Sequence, residues 1–322
     1  MGKELGKIID ASVAIIGAGM AGLACARLLQ QAGARVALID KSRGVGGRMA
    51  TRRVEATQFD HGAQYFTARG PAFSGLLDDL RAQGAADRWF DGSFVGAPGM
   101  SGAPRAMAAG LEIITGRQID ALERVGARWR VRDAAGPVAA SFGDAFDALA
   151  LAVPAPQAVP LLKSARLACD GAARALYAPC WALMLAFEGR SDTPSRMKPD
   201  DPVIAWIARD SDKPGRPQAR ETWVVHAAPD WSRDNLERSP EEAGALLLAR
   251  FRALTGVAQE PSYMTAHRWR YALVEQSAGL DDLWDAQARV GACGDWRLGP
   301  RVECAFDSGQ ALARAIIAEL GA

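Results

Sequence analysis

Apolar positions first cluster in Ser12–Ile16, a five-residue run with strand character. A glycine-rich turn follows, and Met20–Gln31 then carries apolar residues at helical spacing. A second apolar run, Arg35–Asp40, ends on an acid. Strand, helix and strand within about 30 residues are the pattern of a parallel β-α-β unit. Residues 59–66 then read as a strand and 71–83 as a helix, with 111–115, 119–124 and 128–132 as strands of a meander. Residues 145–153 form an apolar strand stopped by Pro154 and Pro156. Beyond about residue 161 the pattern changes to long strands with aromatic residues, at 180–187, 203–209 and 221–226. The loops between them are rich in Pro, Asp and Arg. Residues 239–254 read as an amphipathic helix, with proline at its first position and acids in its first turn. A short strand at 289–294 and a helix at 304–320 close the chain, which shows no internal repeat.

Composition narrows the classes. At 322 residues the chain can bury a substantial core, and 49% hydrophobic with 23% charged residues is ordinary for a globular enzyme. A net charge of +1 supplies no field to draw in nucleic acid or an anionic membrane. Five cysteines without a C-x-x-C pair argue against a disulfide framework and for a reducing compartment. Three histidines with no Cys/His cluster offer no zinc ligand set, so no metal is expected. The uncharged stretch 11–26 superficially resembles a signal peptide, but Glu4 and Asp10 sit in the would-be basic region and glycines break the run. No run approaches the ~20 apolar residues of a membrane-spanning helix, so a cytoplasmic protein is expected.

The turn after the first strand reads Gly17-x-Gly19-x-x-Gly22. The first glycine permits the sharp turn, the second lets backbone approach a pyrophosphate, and the third lets helix pack on strand. The helix start at Met20 and Ala21 then offers free N–H groups and the positive end of the helix dipole. Asp40, 23 residues beyond Gly17, stands where a carboxylate can accept ribose hydroxyls. That much does not separate NAD from FAD. Lys41-Ser42-Arg43-Gly44-Val45-Gly46-Gly47-Arg48 does: its glycines let backbone wrap a pyrophosphate from a second side, and Arg43 or Arg48 can neutralise it. FAD needs such a clamp and NAD does not.

Gly44-Val45-Gly46-Gly47-Arg48 resembles the double-glycine motif of the amine oxidase and phytoene desaturase superfamily of flavoproteins. Phe59-Asp60-His61-Gly62-Ala63-Gln64-Tyr65-Phe66 resembles the strand that this superfamily lays against the isoalloxazine ring. Gly294-Asp295-Trp296, followed by Arg301 to Gly309, resembles its closing flavin motif. Within the superfamily the renalase-like branch is most similar, through Arg48-Met49-Ala50-Thr51-Arg52-Arg53, Gly99-Met100-Ser101 and His267-Arg268-Trp269-Arg270-Tyr271. The resemblance spans nearly the whole chain. It implies an α/β fold in which a Rossmann-like FAD-binding domain (residues 1–70, 99–160 and 285–322) is interleaved with an α+β, mixed-sheet substrate domain (71–98 and 161–284). It also implies non-covalent FAD held by Gly17, Gly19, Met20, Ala21, Gly22, Asp40, Lys41, Arg43, Gly47 and Arg48. His61, Gly62, Ala63, Gln64, Ile119, Asp295, Val302, Glu303 and Ala305 would complete the cofactor contacts. The chain departs from the pattern at Cys304, where glycine is commoner and a small buried residue is expected. It departs again at Asp40, which replaces the commoner glutamate.

Amine oxidases of this superfamily hold a water between a lysine and flavin N5. Only six lysines occur here, none after 213, and Lys163, Lys198 and Lys213 lie in polar or proline-rich surroundings that read as surface. No second G-x-G-x-x-G supplies a separate NAD domain, so a nicotinamide would enter the flavin pocket as substrate. The renalase resemblance implies oxidation of aberrant 2- or 6-dihydro isomers of NAD(P), with hydride passing to flavin N5 and oxygen then giving hydrogen peroxide. Candidate pocket residues are Tyr65, Trp181, Trp206, Trp223, His226, His267, Arg268, Trp269 and Tyr271, because flat aromatics can sandwich a nicotinamide and arginine can hold its polar groups. Strand alternation puts 267, 269 and 271 on one face and 268 and 270 on the other, and leaves open which face is functional. An amine oxidase or desaturase of a small organic substrate is the alternative. A non-redox binding protein, as Rab GDP-dissociation inhibitors use this fold, is a further one.

Overall fold

The computed structural model describes residues 9–281 and 283–321. They divide into two compact units: one built from the segments up to Gly47, Pro104–Leu176 and from Val274 onward, the other from Arg48–Ala103 and Tyr177–Leu273. Each unit is thus assembled from segments separated in the chain. Residues 48–70, assigned from sequence to the nucleotide-binding domain, belong compactly to the second unit.

The first unit holds a six-stranded sheet in the order Trp284–Asp285, Val290–Ala292, Ala148–Leu151, Ser12–Ile16, Arg35–Asp40, Glu112–Thr115. All neighbours are parallel except the Trp284–Asp285 edge. Ser12–Ile16 and Ala148–Leu151 are buried along their length, as strands covered on both faces must be. The helix Met20–Gln31 leaves the central strand through the glycine turn, at the point where chain connections diverge to either side of the sheet. It packs on the last helix, Val302–Leu320, so closely that a Cβ at Gly309 would lie 2.1 Å from the Ala21 carbonyl oxygen. Only two of the three expected meander strands form one: Ala121–Val125 and Arg128–Asp133 pair, with Gly136–Pro137 as the third, while Glu112–Thr115 lies instead at the edge of the parallel sheet. The prolines after Leu151, read as the strand's stop, also start a helix, Ala155–Ser164. Pro154 caps it and Pro156 lies in its first turn, where a missing N–H costs nothing.

The second unit is built on a five-stranded sheet ordered Arg196–Met197, Ile204–Arg209, Glu221–Ala227, Leu176–Phe187, Tyr263–Gln276. The Pro240–Thr255 helix begins in a reciprocal capping box between Ser239 and Glu242. It lays Ala243, Leu247 and Phe251 against Trp181, Leu183, Leu185, Trp223 and Val225 on one sheet face. The opposite face carries Met184, Ala186 and Val224, covered by Phe59 with Tyr263 beside it. The expected strand 59–66 is mostly not one: Thr57–Phe59 ends as it starts, and residues 60–65 run irregularly to a single bridge between Phe66 and Phe94. The hairpin Ala86–Phe90/Ser93–Gly96 and the helix Gly102–Ala108 were not evident in the hydrophobic pattern, being short and interrupted by glycine and charge.

Candidate functional site

The first unit supplies a nucleotide cradle. Gly17 N–H donates to Ile39 O at 2.8 Å, and Ala18 N–H donates to Asp40 Oδ2 at 2.7 Å, so the acid braces the turn. Its other oxygen accepts from Ser42 N–H at 2.7 Å. Each carboxylate oxygen keeps a lone pair for a ribose hydroxyl. A Cβ at Gly22 would lie 2.0 Å from Gly17 O, whereas one at Gly19 would meet nothing within 4 Å. The first position is filled by the protein itself; the second opens on space that a phosphate can take. No side chain caps the helix at Met20, which leaves the amides of its first turn for an anion. Gly46 N–H donates to Ala18 O at 2.9 Å, folding the second glycine loop onto the first. A Cβ at Gly47 would approach only the Gly19 Cα, at 3.7 Å. Lys41 and Arg43 stand exposed beside this loop. Ile119 is buried ahead of the meander, and Asp295 is buried with its carbonyl accepting from Leu298 and Gly299 N–H. Val302, Glu303 and Ala305 form the first turn of the last helix, which Arg301 does not cap with its side chain; Glu303 pairs with Arg301 at 2.8 Å. Cys304 is buried and burial raises its thiol pKa, as suits a packing residue. These residues fit a flavin dinucleotide: two glycine loops in contact, an open seat above Gly19 and a bracing acid.

Arg48 belongs to the second unit, where it donates to Ala272 O at 3.0 Å and lies over the Tyr177 ring at 5.9 Å. Its carbonyl accepts from Ala63 N–H at 2.8 Å, and a Cβ at Gly62 would strike that same oxygen at 2.0 Å. The 61–64 segment is thus pinned tightly to the Arg48 backbone.

All three histidines of the chain meet in this unit. The His61 and His267 rings lie edge to face at 4.9 Å, and His61 stacks on Trp269 at 5.2 Å. Trp269 Nε1–H donates to His61 O at 2.9 Å, an oxygen that His226 Nε2 also approaches at 3.3 Å. Burial, reinforced by the neighbouring His267 and Arg52, lowers the His61 pKa to about 3. Burial lowers His226 and His267 to about 4. The group is therefore an uncharged aromatic wall at neutral pH. Tyr271 continues the odd-numbered face, edge to face with Tyr177 at 5.8 Å. Arg268 and Arg270 turn to the other side, where both pair with Glu237. His267 and Trp269 therefore face His61, Tyr271 meets Tyr177, and Arg268 is not part of that wall.

Beneath the wall lies a buried charge cluster. Lys213, expected at the surface, is fully buried, because its near neighbour Asp210 and two partners from a distant segment surround its ammonium. These are Asp210 at 2.7 Å, Asp60 at 3.7 Å and Gln64 Oε1 at 3.2 Å. Arg216 pairs with Asp60 as well. Burial alone would raise the Asp60 pKa, but the Lys213 and Arg216 charges hold it below the ordinary value, while burial and Asp60 itself raise Asp210. Thr51 Oγ1 and Met100 N–H both donate to Asp60 Oδ1, at 2.7 and 2.8 Å. The 48–53 and 99–101 motifs thus converge on this carboxylate, a role invisible in their sequence.

Trp181 and Trp223 are core residues of the helix-covered face. Their indole N–H groups donate to Asn235 O and Glu221 Oε1, and neither ring is available to line a cavity. Tyr65, 39% exposed, instead joins Trp206, Phe90 and Trp89 in an aromatic group with ring separations of 5.0 to 6.5 Å. Trp89 and Phe90 escaped the sequence reading because their hairpin did. Among the described residues no cluster of three His, Cys, Asp or Glu could hold a metal, and no helix is long and apolar enough to cross a membrane.

Residues 15–80 match the family model of an NAD(P)-binding Rossmann-like domain, and 83–317 that of flavin-containing amine oxidoreductases. Among solved structures, one from Exiguobacterium sp. 255-15, provisionally assigned as a protoporphyrinogen oxidase, superposes with a TM-score of 0.79 at 13% identity, covering 97% of this chain and 100% of that one. Cyclohexylamine oxidase from Brevibacterium oxydans gives 0.68 at 14%, covering 97% and 99%. Wild-type putrescine oxidase bound to putrescine gives 0.67 at 15%, covering 97% and 100%. At these identities the likeness is one of fold.

Proposed function

Because the chain belongs to the flavin-containing amine oxidoreductase family, we propose that it oxidises misreduced dihydronicotinamide dinucleotides, the 2- and 6-dihydro isomers of NAD(P). When bound, FAD supplies hydride acceptance and subsequent transfer of electrons to oxygen. The balance is one dihydro isomer, one O2 and one proton giving NAD(P)+ and H2O2. The observation that carries the reading is the uncharged His61–His267–Trp269 wall above an ammonium already occupied by protein.

A protonated amine must lose a proton before it can give up hydride, and that needs an acceptor whose pKa lies near the working pH. Histidines lowered to about 3 and 4 are poor acceptors at pH 7, and Lys213 is enclosed by Asp210, Asp60 and Gln64. A dihydropyridine needs no such step. Its ring is flat and neutral and becomes cationic as hydride leaves, which aromatic faces favour. The roles of the chain's residues follow. The Gly17–Gly22 turn and Asp40 hold the dinucleotide cofactor. His61, His267 and Trp269 orient the substrate ring and exclude water, with Tyr271 extending the surface. Cytoplasm is the proposed location, and O2 the proposed co-substrate.

The second reading is amine oxidation, favoured by the family model and by similar folds named as amine oxidases. Incubating the holoenzyme aerobically with chemically prepared 2- and 6-dihydro-NAD should consume oxygen and release NAD+ and peroxide in equal amounts. Turnover of putrescine or cyclohexylamine with none of the isomers would replace the proposal with the second reading.

A further inference from the structure

Three hydrogen-bonding side chains link the buried charge cluster to the sheet face. Lys213 Nζ donates to Gln64 Oε1 at 3.2 Å. An ammonium has no lone pair, so this contact fixes which end of the Gln64 amide is oxygen. The Gln64 NH2 must then point the other way, where it donates to Asp60 O and, at 3.1 Å, to Gly62 O. His226 Nε2 lies 3.4 Å from that NH2 and 3.3 Å from His61 O. Both amide hydrogens have closer carbonyl acceptors, and a carbonyl can only accept. The remaining arrangement is Nε2–H on His226, donating to His61 O.

Nδ1 is then the ring's bare acceptor. Among the described residues it has no hydrogen-bond partner, and the ring is half-buried, with its Nε2 edge turned inward. Register places His226 directly beside Trp206 and Ala182 on one sheet face, and Trp206 leads to the exposed Tyr65 ring at 5.7 Å. The groups facing His226 include Gln64, the His61 backbone, Ala182 and Trp206, with the Lys213 charge nearby, and none of these is anionic. Asp60 and Asp210 lie behind Lys213 and Gln64.

We propose that Lys213, acting through Gln64, locks His226 in the Nε2–H form, so that Nδ1 accepts a hydrogen bond from the carboxamide N–H of the nicotinamide ring. His226 is then a specificity residue: it favours an amide-bearing pyridine and disfavours the corresponding carboxylate, which would bring lone pairs against a lone pair. Lys213 and Gln64 are positioning residues. The ligand part of this assignment rests on the dihydronicotinamide reading above; the tautomer does not.

The test has two arms on the FAD-loaded protein. Long-range 1H–15N correlation spectra contain only three imidazoles, and His226→Gln identifies the His226 set by its disappearance. The expected result at pH 7 is an Nε2-protonated ring in the wild type and mixed tautomers in Lys213→Met. Gln64→Met serves as the second variant should the first not fold. A wild-type Nδ1–H ring overturns the proposal. In the second arm, quenching of protein fluorescence reports binding of NAD+ and of nicotinic acid adenine dinucleotide. NAD+ should bind about tenfold more tightly, the worth of one good hydrogen bond against an unmade one. His226→Phe should bring the two affinities together. Equal wild-type affinities, with dihydro isomers still reducing the flavin, overturn the acceptor role and leave the function standing. A flavin that no dihydro isomer reduces removes the function itself.

Discussion

Gly19→Ala and Gly22→Ala are one methyl group each in the same turn, and the structure assigns them opposite consequences. At Gly22 the new Cβ would lie 2.0 Å from Gly17 O, a backbone atom that also sits in the braced turn. The helix must move to admit it, which as overpacking costs about 3 kcal/mol and lowers the apoprotein melting temperature by roughly 5–10 °C. At Gly19 nothing lies within 4 Å and the backbone is extended, so alanine fits the fold. Exchanging glycine for alanine at a helix N-cap costs under about 1 kcal/mol. That methyl does enter the open seat expected to hold pyrophosphate. Displacing the phosphate from one or two charge-assisted amide contacts loses about 3 kcal/mol, or roughly a hundredfold in FAD affinity. Thermal unfolding of the apoproteins and titration of FAD fluorescence separate the two effects. Gly19→Ala should melt like wild type and bind FAD weakly, while Gly22→Ala should melt early. Wild-type FAD affinity in Gly19→Ala would refute the placement of the phosphate over that position.

Other consequences are checked as simply. Lys213→Met strands Asp60 and Asp210 together with only Arg216 for compensation, and should cost about 3–5 kcal/mol in urea denaturation. Asp210→Asn should cost less, because Asp210 already has a raised pKa; equal losses would contradict the cluster's charge assignment. The three histidines have folded pKa values of about 3, 4 and 4, below the unfolded value of about 6.5, so the unfolded chain takes up protons first as pH falls. Their contribution is complete above about pH 6.5 and is lost as pH drops toward 4. The urea midpoint should therefore fall between pH 7 and pH 5, and less so in His61→Asn; an identical slope in that variant would argue against a neutral buried His61. Asp295→Ala should purify with less FAD per chain, by the ratio of visible to ultraviolet absorbance, and undiminished FAD would remove Asp295 from the cofactor site.

Much of this molecule could be read from its sequence where the information is local. The strand, glycine turn, helix and Asp40 are contiguous, and each glycine spacing has a steric cause that the structure reproduces at Gly22 and leaves open at Gly19. Alternation correctly separated His267, Trp269 and Tyr271 from Arg268 and Arg270, but a period of two carries no label for the functional face. That label came from Phe59 and His61 packing on one side and Glu237 on the other. The same limit explains Trp181 and Trp223, which resemble Trp206 on paper and differ only in which face their strand turns to the covering helix. Lys213 was misread for a different reason. Its polar, proline-rich neighbours describe a surface loop, whereas Asp60 and Gln64, which bury it, lie about 150 positions earlier in the chain. Pro154 and Pro156 follow the strand's end as read, but the helix they also start was not legible, because strand-ending and helix-starting prolines share one signature until the following residues coil.

On the proposed function, the wall of neutral histidines and tryptophan receives a dihydropyridine rather than an amine. Anaerobic stopped-flow reduction of the purified FAD-loaded protein distinguishes the two. The flavin absorbance should bleach rapidly with 2- or 6-dihydro-NAD(P), and far more slowly with ordinary 4-dihydro-NAD(P)H, putrescine or cyclohexylamine. Bleaching by an amine that outpaces every dihydronicotinamide isomer would contradict it.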